Sequence, residues 1–221
     1  MVKILSWDVG IINMAYCLLE VNDNKFKILE WELINLIPDN FCKVCNKKAS
    51  LQKDNEYYCD IHKIKGSIKL LTSKNYDTEE ISLKLINILD TKSSLLESNY
   101  VIIENQPCLK NPKMKTIANC LYNYFLIRGK IDKKIIENVL FISASNKLKI
   151  KGYESELKEE NCSSKYQYYK KLAKEYCNKL IENNQVYLNI IKENKKKDDL
   201  CDCFLQGYYY IKKKYGDLDI I

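Results

Sequence analysis

The 221-residue sequence predicts an α/β fold in which a mixed β-sheet is flanked by helices. The first part of the chain holds three strand-like segments joined by short turns, which is typical of an antiparallel meander. The later part alternates helical patterns with short apolar strands, which is typical of a sheet covered by helices. Between the two parts, residues 40–66 are polar, rich in lysine and bear cysteines, and they predict an insertion.

The three segments of the meander are recognised by apolar runs and turn residues. Residues 2–8 form a strand pattern that ends on Asp8, and residues 13–21 form a second apolar run. After a turn at residues 22–24, apolar and polar side chains alternate over residues 25–36. Strands joined by such tight turns pair antiparallel, so the three segments form one part of the sheet.

The later elements are predicted from helix caps and apolar periodicity. Asp77 is a good N-cap for a helix, and Asn111 followed by Pro112 marks the start of another. We expect Gly129 to end that second helix. Two short apolar runs and two further helical patterns follow: strands at 100–104 and 139–142, and helices at 163–180 and from about 197 to 210.

Composition restricts the function classes. The length and an apolar fraction of 46% suit one domain over residues 1–221 with an insertion, and are short for two full domains. The sequence contains no run of about 18 apolar residues, so it predicts no membrane-spanning helix. The first residues also lack a signal-peptide pattern. We therefore expect an intracellular, non-secreted protein with no membrane partner, in which the ten cysteines are thiols rather than disulfides.

The net charge of +7 suits a polyanionic partner. The cations are almost all lysines, with Arg128 as the single arginine, which favours contacts to phosphates over reading of base edges. A second interpretation stays open at this point. An AT-rich genome would encode the same excess of lysine, isoleucine and asparagine without any demand from a ligand.

Carboxylates stand where separate elements end. Asp8 and Glu104 each end a strand, and Asp199 and Asp202 are three apart, so they share a face of the last helix. Ligand sites gather at the strand ends of layered α/β domains. Clustered carboxylates are the hard-oxygen ligands of Mg²⁺, and two such ions can activate water and stabilise a leaving oxygen in phosphodiester hydrolysis. The sequence therefore predicts a two-magnesium site.

Structural explanations compete for some of these acids. Asp8 is also what a turn after a strand would contain, and Asp198 is expected to cap the last helix or to support the ligands. Whether Asp198 or Asp199 is the primary ligand stays open. Glu104 is harder to explain structurally, because a carboxylate after Val-Ile-Ile approaches the core and needs a partner or a metal.

A cysteine–histidine pattern lies in the insertion. Cys42 and Cys45 are separated by two residues, and so are Cys59 and His62, the only histidine of the chain. Three thiolates and an imidazole form a closed tetrahedral zinc site, which has a structural role. Chance spacing is the alternative, since ten cysteines raise the coincidence rate. The lysines around the pattern either contact DNA arms or form a solvated surface: Lys43, Lys47, Lys48, Lys53, Lys63 and Lys65.

Three segments together resemble the RuvC-like Holliday-junction resolvases, above all the poxvirus and fungal mitochondrial branch. They are residues 6–16 (SWDVGIINMAY), 102–107 (IIENQP) and 196–204 (KKDDLCDCF). The resemblance implies an RNase H-like fold with a five-stranded mixed sheet and a homodimer. It also implies nicking of four-way DNA junctions with Mg²⁺ or Mn²⁺, in recombination, repair or viral genome processing. A large DNA virus is the source that it suggests.

The resemblance also implies residue roles. It assigns the catalytic, metal-binding acids to Asp8, Glu104, Asp199 and Asp202. A basic residue that holds phosphate falls on Lys147, with Lys149 and Lys151 close enough to be alternatives.

Other classes remain to be separated. A related nuclease for other branched or RNA-containing substrates would share the metal chemistry. A non-catalytic, zinc-containing DNA-binding protein would not need the four acids together. The sugar-kinase, actin and Hsp70 ATPases would need a second glycine-rich phosphate loop, and this chain has only six glycines.

Overall fold

The computed structural model describes residues 1–37, 40–70, 76–109, 111–149 and 164–221. Its strands are β1 (Val2–Asp8), β2 (Met14–Asn22), β3 (Lys25–Ile34), β4 (Leu51–Lys53), β5 (Glu56–Tyr58), β6 (Ile68–Lys69), β7 (Tyr100–Glu104), β8 (Asn138–Ile142) and β9 (Asp219–Ile220). Its α-helices are α1 (Thr78–Thr91), α2 (Pro112–Tyr124), α3 (Lys165–Ile181), α4 (Gln185–Glu193) and α5 (Lys197–Tyr215).

The central sheet is mixed, with the strand order β8-β7-β1-β2-β3-β9. Strands β1, β2 and β3 form the predicted antiparallel meander, while β7 and β8 add parallel to β1. The predicted α/β class and the five main strands are therefore confirmed. The short β9 is a sixth strand, parallel to β3, which was not predicted. A two-residue strand carries no periodic pattern by which a sequence could reveal it.

Helices cover both faces of this sheet, and each face has its own core. Helices α1 and α2 bury Leu85 and Leu121 against one face. Helices α3, α4 and α5 bury Cys177, Ile191 and Phe204 against the other. The strands between these two layers of helices are buried on both faces. Accordingly, β1 and β7 are nearly continuous apolar runs.

The predicted helix starts are confirmed, but one predicted helix end is wrong. Asp77 and Asn111 accept hydrogen bonds from backbone N–H groups of α1 and α2, as N-caps do. Gly129 does not end the second helix, because a π-helical segment, Phe125–Asp132, continues through it. A Cβ on Gly129 would lie 2.1 Å from Cδ1 of Ile136. Glycine is therefore required there by close packing rather than by a helix terminus.

The later helices also differ from the predicted pattern. Helix α3 begins at Lys165 with Ser164 as its cap, while Ser163 of the prediction lies outside the described residues. Helix α4 was not predicted, although Asn184 caps it through two backbone N–H groups. Helix α5 continues to Tyr215, five residues past the predicted end.

The insertion forms a separate small sheet with the strand order β5-β4-β6. This sheet reaches Lys69, slightly past the predicted limit at residue 66. The chain enters the insertion from the end of β3, where the backbone N–H of Leu36 donates to the carbonyl of Ile11 at 3.0 Å. Within the described part of the chain, we find no helix that is both long and apolar enough to cross a membrane.

Candidate active site

A cavity of about 800 Å³ opens where β1 and β7 end, and all four predicted acids line it. The parallel register pairs Trp7 with Ile103, so the next residues along the two strands, Asp8 and Glu104, lie side by side at one sheet edge. The chain turns sharply after Asp8: a Cβ on Gly10 would lie 2.4 Å from the carbonyl oxygen of Asn13. Glycine therefore permits the tight turn that forms one wall of the cavity.

Helix α5 brings the other two acids to the same edge. It packs directly on the sheet, because a Cβ on Gly207 would lie 2.5 Å from Cδ1 of Leu19. The indole N–H of Trp31 donates to the carbonyl of Leu200 at 3.0 Å and holds the first turns of the helix in place. Asp199 and Asp202, three residues apart, consequently face the cavity together.

The carboxylates crowd one another. Burial raises the pKa of Asp8 well above its ordinary value, and a hydrogen bond and charge repulsion from Glu104 raise it further. Burial also raises the pKa of Asp202, although Lys147 partly offsets the rise. At Asp199, burial and the neighbouring Asp198 raise the pKa to about 6. A cation at this position would relieve the repulsion, so the donor set fits a divalent metal ion that prefers hard oxygen ligands.

Lys147 is the cation that the structure places among these acids. It lies on a short 3₁₀ helix, Ala144–Leu148, just after β8. Its ammonium donates to the Asp202 carboxylate and lies 3.9 Å from Oε2 of Glu104. Burial disfavours the ammonium, but the surrounding carboxylates outweigh burial and raise the pKa of Lys147. Lys149 instead donates to Asn146 on the exposed side, and Lys151 lies outside the described residues.

Asp198 is neither a helix cap nor a cavity residue. Helix α5 starts at Lys197, with Lys196 in the cap position, so the prediction that Asp198 caps the helix is wrong. Its carboxylate accepts from the Lys170 ammonium at 2.5 Å, and the cavity is lined by Asp199 instead. Burial alone would raise the pKa of Asp198, but the bond from Lys170 lowers it below the ordinary value. The side-chain partner of Asp198 is therefore Lys170, rather than any of the four acids of the cavity.

The four predicted zinc ligands, Cys42, Cys45, Cys59 and His62, also lie close together. The Cys42 and Cys59 thiols lie 3.6 and 3.5 Å from Nδ1 of His62, and the Cys45 and Cys59 sulfurs are 3.7 Å apart. Ordinary zinc bond lengths and a tetrahedral angle require about 3.6 Å between sulfur and nitrogen and about 3.8 Å between sulfurs. Among the described residues, this is the one His, Cys, Asp and Glu group whose ligand atoms all lie within 4.8 Å of one another. The arrangement fits a closed tetrahedral ion.

A tight turn over residues 42–47 holds two of these ligands, Cys42 and Cys45. The N–H of Cys42 donates to the carbonyl of Lys47, and the N–H of Asn46 donates back to the carbonyl of Cys42. Asn46 adopts a left-handed backbone conformation, with φ of 55°, which asparagine tolerates well. Burial alone would raise the pKa of the Cys42 thiol, but backbone N–H groups, first that of Cys59, lower it to about 6. A thiolate suited to metal binding follows.

Comparison with known proteins identifies the family. The sequence profile of the family described as "Mitochondrial resolvase Ydc2 / RNA splicing MRS1" matches residues 4–126. The chain belongs to this family. The resemblance to RuvC-like resolvases that the three motifs suggested is thereby confirmed.

The similarity to other proteins extends over most of the chain. "Uncharacterized protein L451" of Acanthamoeba polyphaga mimivirus is 32% identical over 95% of this chain and 74% of its own length. The crystal structure of the yeast mitochondrial Holliday junction resolvase, Ydc2, matches with a TM-score of 0.56 and 19% identity, over 98% of this chain and 84% of that one. The fowlpox virus resolvase in complex with substrate Holliday junction DNA matches with 0.52 and 18%, over 96% and 99%. At these identities the two structures support the RNase H-like fold alone.

Gln206 belongs to this resolvase-family site but to none of the sequence motifs. Gln206 is fully buried on α5, and its side-chain N–H donates to Oε2 of Glu104 at 3.0 Å. Its own oxygen, Oε1, is buried without a partner among the described residues. The only signal in the sequence is that Gln206 follows Asp202 by one helical turn, and such spacing has many structural explanations. Lys170 of α3 also lines the cavity and was not predicted.

We expect Gln206→Leu to lower metal-dependent cleavage by about 10–100-fold, the usual effect of removing a hydrogen bond to a metal-binding group. The stability of the fold should not fall, because the change also removes a buried oxygen without a partner. Single-turnover cleavage and thermal unfolding would measure the two effects. Ser6→Ala is the matched control, since it removes another buried oxygen without a partner that makes no bond to an acid. Equal cleavage by both variants would contradict the prediction.

Proposed function

We propose that this protein is a metal-dependent, structure-specific endonuclease that resolves four-way DNA junctions. One observation carries the proposal: four acids from two strands and a helix line one cavity with a buried lysine, in a chain of the resolvase family. Four carboxylates at one place are costly to maintain without a cation. A protein that only bound DNA would gain nothing from them.

The site residues have distinct roles in this proposal. Asp8, Glu104, Asp199 and Asp202 hold two Mg²⁺ or Mn²⁺ ions. The ions supply Lewis-acid stabilisation of charge at the scissile phosphate and activation of water. Lys147, whose ammonium lies among the acids, holds a phosphate oxygen of the DNA backbone. The acids supply oxygen ligands of fixed position, since two stand on neighbouring strands and two on one helix face.

The insertion has a structural metal in this proposal. Cys42, Cys45, Cys59 and His62 hold one Zn²⁺ with no open coordination position. We therefore divide the single nuclease domain, residues 1–221, into the α/β body and a zinc-binding insertion at 40–66. Zinc stabilises an insertion whose own apolar core is small.

A homodimer fits the symmetric cutting of a junction, since two copies related by a two-fold axis present two equivalent sites. Exposed apolar side chains on and after the π-helical segment offer a surface for such pairing. Ile127, Ile131 and Ile135 are 50%, 60% and 39% exposed.

The proposal includes an intracellular location for this protein, because free thiolate ligands for zinc need a reducing compartment.

A second candidate has a specific basis. The matching family is described by RNA splicing as well as by a resolvase. A nuclease for other branched or RNA-containing substrates would use the same acids.

A substrate panel tests the proposal. The zinc-bound protein is incubated with Mg²⁺ and a four-way junction, a flap, an RNA–DNA hybrid or a linear duplex. We expect paired nicks in the junction and little cutting of the duplex. Equal cutting of junction and duplex would exclude the resolvase function, and preferential cutting of the hybrid would favour the second candidate. Loss of all cutting without Mg²⁺, with zinc retained, would show that the carboxylate site requires its own ion.

A further inference from the structure

Three exposed apolar residues are chain neighbours of the proposed zinc ligands. Phe41, Val44 and Ile61 each directly precede a ligand residue, namely Cys42, Cys45 and His62 in turn. They are 52%, 62% and 75% exposed. Because the ligand atoms lie within 4.8 Å of one another, the three residues before them flank one small region. We call these three residues the apolar collar.

The insertion does not need the apolar collar for its own folding. Its buried apolar residues are others, among them Ala49, Leu51 and Tyr58. Large apolar side chains left in water around a metal site favour an interaction surface, because they gain free energy only when something covers them.

Charge indicates the class of molecule that covers the collar. Residues 40–70 contain seven lysines against three acids. Two of the acids are already engaged: Glu56 with Lys43 and Tyr58, and Asp60 with the hydroxyl of Ser50. An apolar surface on a lysine-rich insertion matches a molecule with apolar faces and a negatively charged backbone. Nucleotides have both.

The position of the insertion links it to the cavity. Ile34, the last residue of β3, pairs with Met14 at the sheet edge where Asp8 pairs with Ala15. On the return from the insertion, the carbonyl of Tyr76 accepts from the Lys113 ammonium at 2.5 Å, near the start of α2. Both connections of the insertion therefore lie at the cavity end of the sheet. A nucleic acid bound in the cavity would pass within reach of it.

We propose that the apolar collar binds unpaired nucleotides of the branched substrate, with their base faces against Phe41, Val44 and Ile61 and their phosphates on the surrounding lysines. The inference rests on the proposed function for the identity of that substrate. Duplex DNA alone would satisfy the lysines but not the collar, because its base faces are stacked on each other. Bases at a branch point are the ones that can leave the stack.

Binding of a single strand tests the collar. The full zinc-bound chain, carrying Asp8→Asn to prevent cutting, is titrated by fluorescence anisotropy with a thymidine oligonucleotide and with a duplex of equal length. We expect the double variant Val44→Ser, Ile61→Ser to bind the single strand at least about fivefold more weakly, because two apolar contacts to the bases are lost. Duplex binding and zinc content should be unchanged. The matched control is Leu83→Ser with Val186→Ser, since both residues are similarly exposed on the helical body.

Several outcomes would overturn the inference. They are unchanged single-strand affinity in the collar variant, an equal loss for duplex and single strand, or an equal loss in the control. Competition by polyglutamate as strong as that by the unlabelled oligonucleotide would show that charge alone is recognised. Failure of the proposed function would be seen elsewhere, as absence of Mg²⁺-dependent cutting by the chain with Asp8 intact, because these titrations need no cleavage.

Discussion

Asp8→Asn is expected to lower junction cleavage by at least about 100-fold and, at the same time, to raise the melting temperature in Mg²⁺-free buffer. The loss should exceed that expected for Gln206→Leu, because Asp8 is a proposed direct metal ligand whereas Gln206 only bonds to one. The gain in stability follows from the raised pKa of Asp8. Burial and Glu104 make the charged form less favourable in the folded protein than in the unfolded one. Asparagine removes that charge and can donate to Glu104.

The sign of the pH dependence follows from the same linkage. A raised carboxyl pKa means that the folded state binds the proton more tightly, so wild-type stability falls as pH rises above the ordinary value of 3.8. The advantage of Asp8→Asn should therefore be present at neutral pH and vanish as the pH falls to about that value. Thermal unfolding across pH, without a chelator so that zinc is retained, would measure it.

Asp198→Asn is the matched control, because the two aspartates have pKa shifts of opposite sign. Lys170 lowers the pKa of Asp198, so its charge stabilises the fold and its removal should lower the melting temperature. Cleavage should change little, since Asp198 does not line the cavity. Equal cleavage by the Asp8 and Asp198 variants would contradict the assignment of Asp8, and a lower melting temperature for Asp8→Asn would contradict the electrostatic account.

Cys45→Ser is expected to abolish stoichiometric zinc binding and to disorder the insertion while the α/β body stays folded. A serine hydroxyl does not ionise at neutral pH and cannot replace the thiolate. Binding energies of roughly 10–16 kcal/mol for small zinc modules show how much such a fold depends on its ion. The α/β body should remain folded because its sheet is separate from the β5-β4-β6 sheet. Mass spectrometry would measure the zinc content. Backbone amide exchange would show whether the insertion is disordered while the α/β body stays folded.

Cys108→Ser is the control for this change, since Cys108 is an exposed thiol outside the zinc group. It should keep one zinc ion per chain. Retention of a full zinc equivalent by the Cys45 variant would show that the four residues do not form the site. Unfolding of the whole protein would show that the insertion and the body are energetically one unit.

The parts of the site that depend on local patterns were predictable. Asp8 and Glu104 follow apolar runs, so their places at strand ends could be expected without the strand order. The pair Asp199 and Asp202 follows from helical spacing, and the zinc pattern from its two short repeats. The element types were predictable for the same reason, since caps and periodicity are local.

What depends on distant contacts was not predictable. Gln206 reaches Glu104 across 102 residues, and Lys170 reaches Asp198 across 28. Neither partner can be chosen before the packing of α5 on the sheet and of α3 beside it is known. The choice of Lys147 over Lys149 likewise depends on which way one 3₁₀ turn faces the cavity.

The central claim is that the four carboxylates form a divalent-metal centre distinct from the zinc site. Anomalous X-ray diffraction from crystals of the zinc-bound protein soaked in Mn²⁺ tests it most directly, with data collected at the manganese and zinc absorption edges. We predict manganese peaks in the cavity among Asp8, Glu104, Asp199 and Asp202, and a zinc peak among Cys42, Cys45, Cys59 and His62. Manganese absent from the cavity, or unchanged there in Asp8→Asn, would contradict the account.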